Sequence, residues 1–206
     1  MSTPVYAASS YLSRTLHRGA SSGCDWVQDL VQSVKDGDRR AALRAAAVLA
    51  RHPALQGFTG VVVPAPRSDA GRPPLTILAR ALVARGVGTR VALAVVRASP
   101  VESSRARRRT GLPGVSEDDH LASLRVAPGA VEPEESVLIL DDVVTTGSTI
   151  RAVARRLRAA GHVGEVVGAA VARTTDDLTS AGDCRPQFTV LRAASSRRCD
   201  LRRVAL

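Results

Sequence analysis

Asp141 and Asp142 are adjacent acids set between the apolar run Val137-Leu138-Ile139-Leu140 and the stretch Val143-Val144-Thr145-Thr146-Gly147-Ser148-Thr149-Ile150. The run has the length and residue types of a buried strand, and the small, hydroxyl-rich turn after it has those of a helix start. Such a strand delivers two carboxylates at its end, where they can accept hydrogen bonds from a pair of vicinal hydroxyls. The turn offers backbone N–H groups and hydroxyls at a helix N-terminus, where hydrogen bonding and the helix dipole both favour a phosphate. Taken together, a diol site beside a phosphate site suits a sugar phosphate. The plainer reading of the same residues is a buried strand followed by a helix capped by Thr146 or Ser148.

Other phosphate motifs do not occur in the chain. There is no G-x-x-x-x-G-K-[ST] loop, which argues against a P-loop nucleotide hydrolase, and no G-x-G-x-x-G follows a strand as a dinucleotide site requires. Lys35, the only lysine among 29 basic residues, falls in an N-terminal helical pattern. Cys24, Cys184 and Cys199 are scattered without a C-x-x-C pair, and His17, His52, His120 and His162 lack ligand spacing, so structural roles are expected for all seven. The net charge of +10 is carried by arginine, a usage that fits coding bias as well as any partner. Aromatic residues make up 2% of the chain, too few to interleave basic residues with base-stacking rings, so nucleic acid is not an expected partner. No apolar run approaches the ~20 residues that span a bilayer, and no charged stretch leads into an apolar signal core; a cytoplasmic protein without a membrane partner is expected.

With 206 residues, 45% of them hydrophobic, the chain can bury one full core built from Val, Leu, Ile and Ala. Residues 1–20 show no clear periodicity and read as a lead-in. Trp26, Val27, Leu30, Val31 and Val34 recur at helical spacing behind Asp25, and a second helix is expected over residues 39–51. Strands are expected at 60–64, 91–97, 137–140 and 165–172, with helices at 75–85 and 149–160 between them. Strands alternating with helices predict an α/β fold, a parallel sheet flanked by helices, with ligands at the carboxyl ends of the strands.

Two connections leave that end of the sheet. Pro64-Ala65-Pro66-Arg67-Ser68-Asp69-Ala70-Gly71-Arg72 follows the first core strand, and Arg67, Ser68 and Arg72 are suitable donors to an anion. Residues 98–124 carry the basic run Arg105-Ala106-Arg107-Arg108-Arg109, and so long a polar span suggests a functional lid rather than a filler loop. Residues 120–126 read as the strand that returns from it.

The stretch from Val137 to Ile150 resembles the PRPP-binding motif of the type I phosphoribosyltransferases: a hydrophobic strand, two acids, two hydrophobics and a T-T/S-G-x-T loop. The resemblance covers roughly residues 60–172 and is specific in this motif. It implies transfer of the 5-phosphoribosyl group of 5-phosphoribosyl 1-diphosphate (PRPP) to a nitrogenous acceptor, with release of pyrophosphate. Asp141 and Asp142 would receive the ribose 2′- and 3′-hydroxyls and act in catalysis, while Thr145, Thr146, Gly147, Ser148 and Thr149 wrap the 5′-phosphate. Arg67 and Ser68 would lie in the pyrophosphate loop, Arg105 would reach the pyrophosphate from a mobile lid, and Mg²⁺ would be held mainly by PRPP and water rather than by a protein cage. Residues 1–59 and 173–206 would supply the lead-in, helices and a small hood around a core at 60–172, all in one domain. The family's architecture also allows a homodimer.

Three departures narrow the resemblance. In hypoxanthine-guanine enzymes an acid stands where this chain has Thr145, which argues against a 6-oxopurine acceptor. The lysines of orotate enzymes are missing from the lid. Pro64-Ala65-Pro66 looks closest to the ComF-like branch, yet no zinc-ribbon cysteines precede it. The reading from another class is a non-catalytic PRPP sensor or nucleic-acid-binding regulator on the same fold.

Overall fold

The computed structural model describes residues 3–12, 25–67, 75–102, 107, 110–111, 113–175 and 189–191. Its centre is the apolar run before the acids. Val137, Leu138, Ile139 and Leu140 are all completely buried, as expected for a parallel strand covered on both faces. This strand, β7 (Val137–Val144), lies between β3 (Val61–Pro64) and β8 (Val166–Thr175), and all its pairings are parallel. β4 (Arg90–Val91) extends the sheet beyond β3, again in parallel.

On the far side of β8 lie β1 (Val5–Ala7) and β2 (Ser10–Leu12), both parallel to it. They form one interrupted strand, because Ala8 N–H donates to Ala170 O at 3.2 Å and Arg173 N–H to Ser9 O at 2.7 Å across the break. Residues 5–12 are therefore sheet, not lead-in; three-residue pieces are too short to register as periodicity. β9 (Thr189–Leu191), within the 173–206 segment expected as hood, pairs antiparallel with β1.

The five parallel positions run β4, β3, β7, β8, then β1 with β2. The chain passes from β3 outward to β4 and returns to the other flank of β3 as β7. Connections leaving β3 and β7 consequently diverge, and a crevice opens between their carboxyl ends. The last bond that links them runs from Ala65 N–H to Leu140 O, at 2.7 Å. Beyond it, Asp141 and Asp142 continue as strand with β3 no longer beside them, so the acids sit within β7 rather than past its end.

Helices flank the sheet in two groups. α1 (Asp25–Lys35), α2 (Arg39–Leu49) and α3 (Leu75–Val83) pack on one another and on β3, β7 and β8. Of the stripe predicted for α1, Val27, Leu30, Val31 and Val34 form its buried face, whereas Trp26 at the helix start is exposed. Asp38 caps α2 by accepting from Ala41 N–H at 2.6 Å, and the alanines of α2 permit close packing on α3. α1 and α2 are thus part of the core.

The second group departs from expectation. The run at 91–97 is two strands: Ala92 makes a last bond to Val62 O at 3.0 Å, and the chain then leaves the sheet to form β5 (Val95–Arg97). β5 pairs antiparallel with β6 (Leu124–Val126) in a separate ribbon. Residues 117–123, expected as lid and returning strand, form α4 (Glu117–Ser123). A capping box explains it: Ser116 accepts from Asp119 N–H, Asp119 accepts from Ser116 N–H, and Glu117 and Asp118 add charge that the helix dipole favours. α4 packs on α5 (Ser148–Ala159), where Glu117 pairs with Arg151 at 2.8 Å and with Arg155 at 3.0 Å. Among the described residues, no helix is long and apolar enough to cross a membrane.

Candidate active site

The crevice is a cleft of about 590 Å³ that brings the acids, the loop after them and Arg67 together. β7 positions the carboxylates, and buried Val144 and Ile150 anchor the two ends of the loop. Between these anchors Thr145 and Thr146 are exposed, and Ser148 and Thr149 are half-buried. Gly147 precedes α5 at φ 77°, a left-handed conformation that a side chain rarely adopts. A Cβ there would stand 3.1 Å from Arg151 Nη1, and that guanidinium braces the loop by donating to Thr146 O at 2.6 Å.

The plain capping reading is only weakly represented. Gly147, the N-cap, has no side chain to satisfy the first turn, and Thr146 Oγ1 accepts from Ser148 N–H at a long 3.4 Å. The start of α5 accordingly keeps donors for an anion.

The acids are too deeply buried to ionise easily. Burial, then the neighbouring charge of Asp142, pushes Asp141 up to about 7. Asp142 is also raised by burial, tempered by Lys35; its side chain keeps 20% of its surface open to the cleft, so water limits the effect. Asp142 N–H donates to Asp141 Oδ1 at 2.9 Å, and Lys35 Nζ approaches Asp142 Oδ1 at 3.6 Å. Lys35 was read only as part of a helix. It stands in the last turn of α1, which crosses β7, and its ammonium favours the charged form of both acids. The legible signal was its solitude: one lysine survives in a chain that otherwise uses arginine, and it reaches the acids.

Two further side chains lining the cleft, Arg97 and His120, were not singled out. Arg97 is 7% exposed at the end of β5. Its Nε donates to Arg67 O, Nη1 to Ser123 Oγ, and Nη2 to His120 Nδ1 at 2.8 Å. Burial lowers its titration and the nearby Asp141 opposes that change. His120, on α4, is pushed down to about 4 by burial and by Arg97. The histidine expected to be unremarkable is therefore a neutral ring within the cleft.

Arg67 lies beside the acids and favours the charged form of Asp142. Ser68, Arg72 and Arg105 fall outside the described residues. From the same basic run, Arg107 pairs with Asp119 on α4 at 3.0 Å. No cluster of three or more His, Cys, Asp or Glu side chains suited to a metal occurs among the described residues.

Residues 44–179 match the family described as phosphoribosyl transferase domain. The chain belongs to that family, the type I phosphoribosyltransferases. It is 37% identical over 102 residues to the adenine phosphoribosyltransferase of Clavibacter michiganensis subsp. michiganensis, a match covering 50% of this chain and 53% of that protein. The adenine phosphoribosyltransferase of Clavibacter sepedonicus is also 37% identical over 102 residues, covering 50% of this chain and 48% of its own. The chain thus spans about half the length of these curated relatives. Among solved structures it is similar to adenine phosphoribosyltransferase from Thermoanaerobacter pseudethanolicus, with 19% identity, a TM-score of 0.41, and coverage of 66% of this chain and 82% of that one. The Trypanosoma brucei adenine enzyme, solved with AMP, pyrophosphate and ribose-5-phosphate, gives 15% identity and a TM-score of 0.38 over 72% of this chain and 71% of its own.

Proposed function

We propose that this phosphoribosyltransferase-family chain moves the 5-phosphoribosyl group of PRPP to a nitrogenous acceptor and releases pyrophosphate. The observation that supports this reading most is the single cleft that joins an acid pair to a helix start without a side-chain cap. Asp141 and Asp142 accept the ribose hydroxyls, and residues 145–149 bind the 5′-phosphate. Arg67 faces the pyrophosphate with Ser68 and Arg105, the partners expected from the sequence. A nitrogen lone pair of the acceptor forms the new bond to the anomeric carbon while the bond to pyrophosphate breaks, with inversion. Positive charge that gathers on the ring is stabilised by the two carboxylates, and positioning supplies much of the remaining rate.

The donor set fits a magnesium ion carried in by the diphosphate, because hard carboxylate oxygens face a cleft where one ammonium offsets their charge only in part. Asp141 and Asp142 would be the residues beside such an ion, which would supply neutralising charge for the leaving pyrophosphate.

For the acceptor, Thr145 in place of an acid argues against hypoxanthine and guanine. The two relatives, matched over about half their length, make adenine the first candidate, with other nitrogenous acceptors outside the 6-oxopurines beside it. A screen that follows pyrophosphate release from PRPP, with product mass confirming a ribosyl–nitrogen bond, tests this reading. Turnover with adenine or another non-6-oxopurine base is expected. Robust turnover of hypoxanthine or guanine would overturn the acceptor argument, and PRPP binding with no turnover across the panel, joined to tight DNA or RNA binding, would favour the regulator.

A further inference from the structure

Arginine has no hydrogen-bond acceptor. The contact between Arg97 Nη2 and His120 Nδ1 at 2.8 Å therefore has a fixed direction: the guanidinium donates and Nδ1 accepts. The neutral ring must then carry its proton on Nε2, which lies 3.4 Å from Thr149 Oγ1. That N–H occupies a lone pair of the Thr149 hydroxyl and leaves the hydroxyl hydrogen to point elsewhere, and Thr149 lines the cleft in the first turn of α5. The guanidinium that sets this direction is itself held by α4. Ser123 Oγ accepts from Arg97 and donates to His120 O at 2.7 Å. His120 is 9% exposed and Ser123 3%, so water does not readily replace these bonds.

We propose that His120 is a positioning residue that turns the Thr149 hydroxyl hydrogen toward the 5′-phosphate, with Arg97 setting the tautomer that makes this possible. The proposal rests on the phosphoribosyl-transfer reading of the cleft. Arg97 also donates to Arg67 O, so one buried guanidinium ties the loop after β3 to α4 and, through His120, to the first turn of α5. His120 is the link on the phosphate side alone.

The test compares two probes, ribose 5-phosphate and inorganic pyrophosphate, by calorimetry on the full chain. His120→Ala is expected to weaken ribose 5-phosphate about fivefold to tenfold, the scale of misorienting one ordinary hydrogen bond, and to leave pyrophosphate within about twofold. In a Thr149→Val background the same change should cost almost nothing, because the hydroxyl it orients is gone. His120→Gln, whose amide can still donate toward Thr149, should recover most of the loss and guards against a folding defect in the alanine variant. Nitrogen-detected NMR of the unsubstituted protein at neutral pH should find His120 neutral with its proton on Nε2. Equal weakening of both probes, an unchanged penalty without the Thr149 hydroxyl, or a proton on Nδ1 would overturn the proposal. A wild-type protein that binds neither probe nor PRPP would instead contradict the underlying phosphoribosyl reading.

Discussion

Asp141 sets function against stability. Its carboxyl titrates near 7 in the folded protein, against an ordinary value of 3.8. Between these values the unfolded chain releases a proton that the folded chain retains, so this group makes stability fall as pH rises from about 4 to about 7, and the penalty is complete above that. Asp141→Asn should therefore stabilise the empty protein at pH 8, by on the order of 1 to 4 kcal/mol, with little gain at pH 4. Thermal melts at the two pH values measure the difference; a loss of stability at pH 8 would contradict the account. Lys35→Met removes the cation that favours both ionised acids. PRPP affinity of that variant should drop most near pH 7 and recover as pH rises toward 9, since the acids then titrate higher and the diol prefers ionised acceptors. An equal loss at every pH, measured by calorimetry, would reject this role. Sequence alone pointed to the acids because adjacent charges after an apolar run are conspicuous. It did not point to Lys35, Arg97 or His120, whose partners lie far away along the chain and whose roles depend on how α1, β5 and α4 fold over β7.

At the scale of elements, the turn between β7 and α5 depends on a backbone shape as much as on its hydroxyls. Gly147→Val must place a β-branched residue at φ 77° with its Cβ 3.1 Å from Arg151 Nη1. The strain is about 1–2 kcal/mol before any rearrangement of Arg151, whose bond to Thr146 O would then be disturbed. Melting temperature should fall by several degrees, and PRPP affinity by more than about tenfold, because backbone N–H groups would turn away from the phosphate. Retention of affinity in a folded Gly147→Val protein would show that the loop binds in some other way. The strand–turn–helix order of β7 and α5 was legible because each piece is long and its period clear. Helix α4 was not read, although Ser116 and Asp119 already spelled a capping box; the apolar residues after it suggested a strand. The short pieces β1, β2 and β4 acquire their shape from neighbouring strands, which no local pattern reports.

At the scale of the molecule, the sheet order decides where chemistry can occur. β3 and β7 are neighbours in space with 72 residues between Pro64 and Val137, and their outgoing connections part over the acids. Alternating strands and helices made the parallel sheet and its ligand-bearing edge legible. The order of strands, the departure of β5 into a separate ribbon and the seating of α1 above the acids follow from packing among distant segments. The central claim is that this edge binds PRPP through Asp141, Asp142 and residues 145–149. Calorimetric titration of PRPP with Mg²⁺ into the wild-type protein and the Asp141→Asn, Asp142→Asn double variant tests it most directly. The account predicts saturable binding to the wild type and a loss of about a hundredfold or more in a double variant that remains folded, since hydrogen bonds to two charged groups are removed. Unchanged affinity in that folded variant would contradict it.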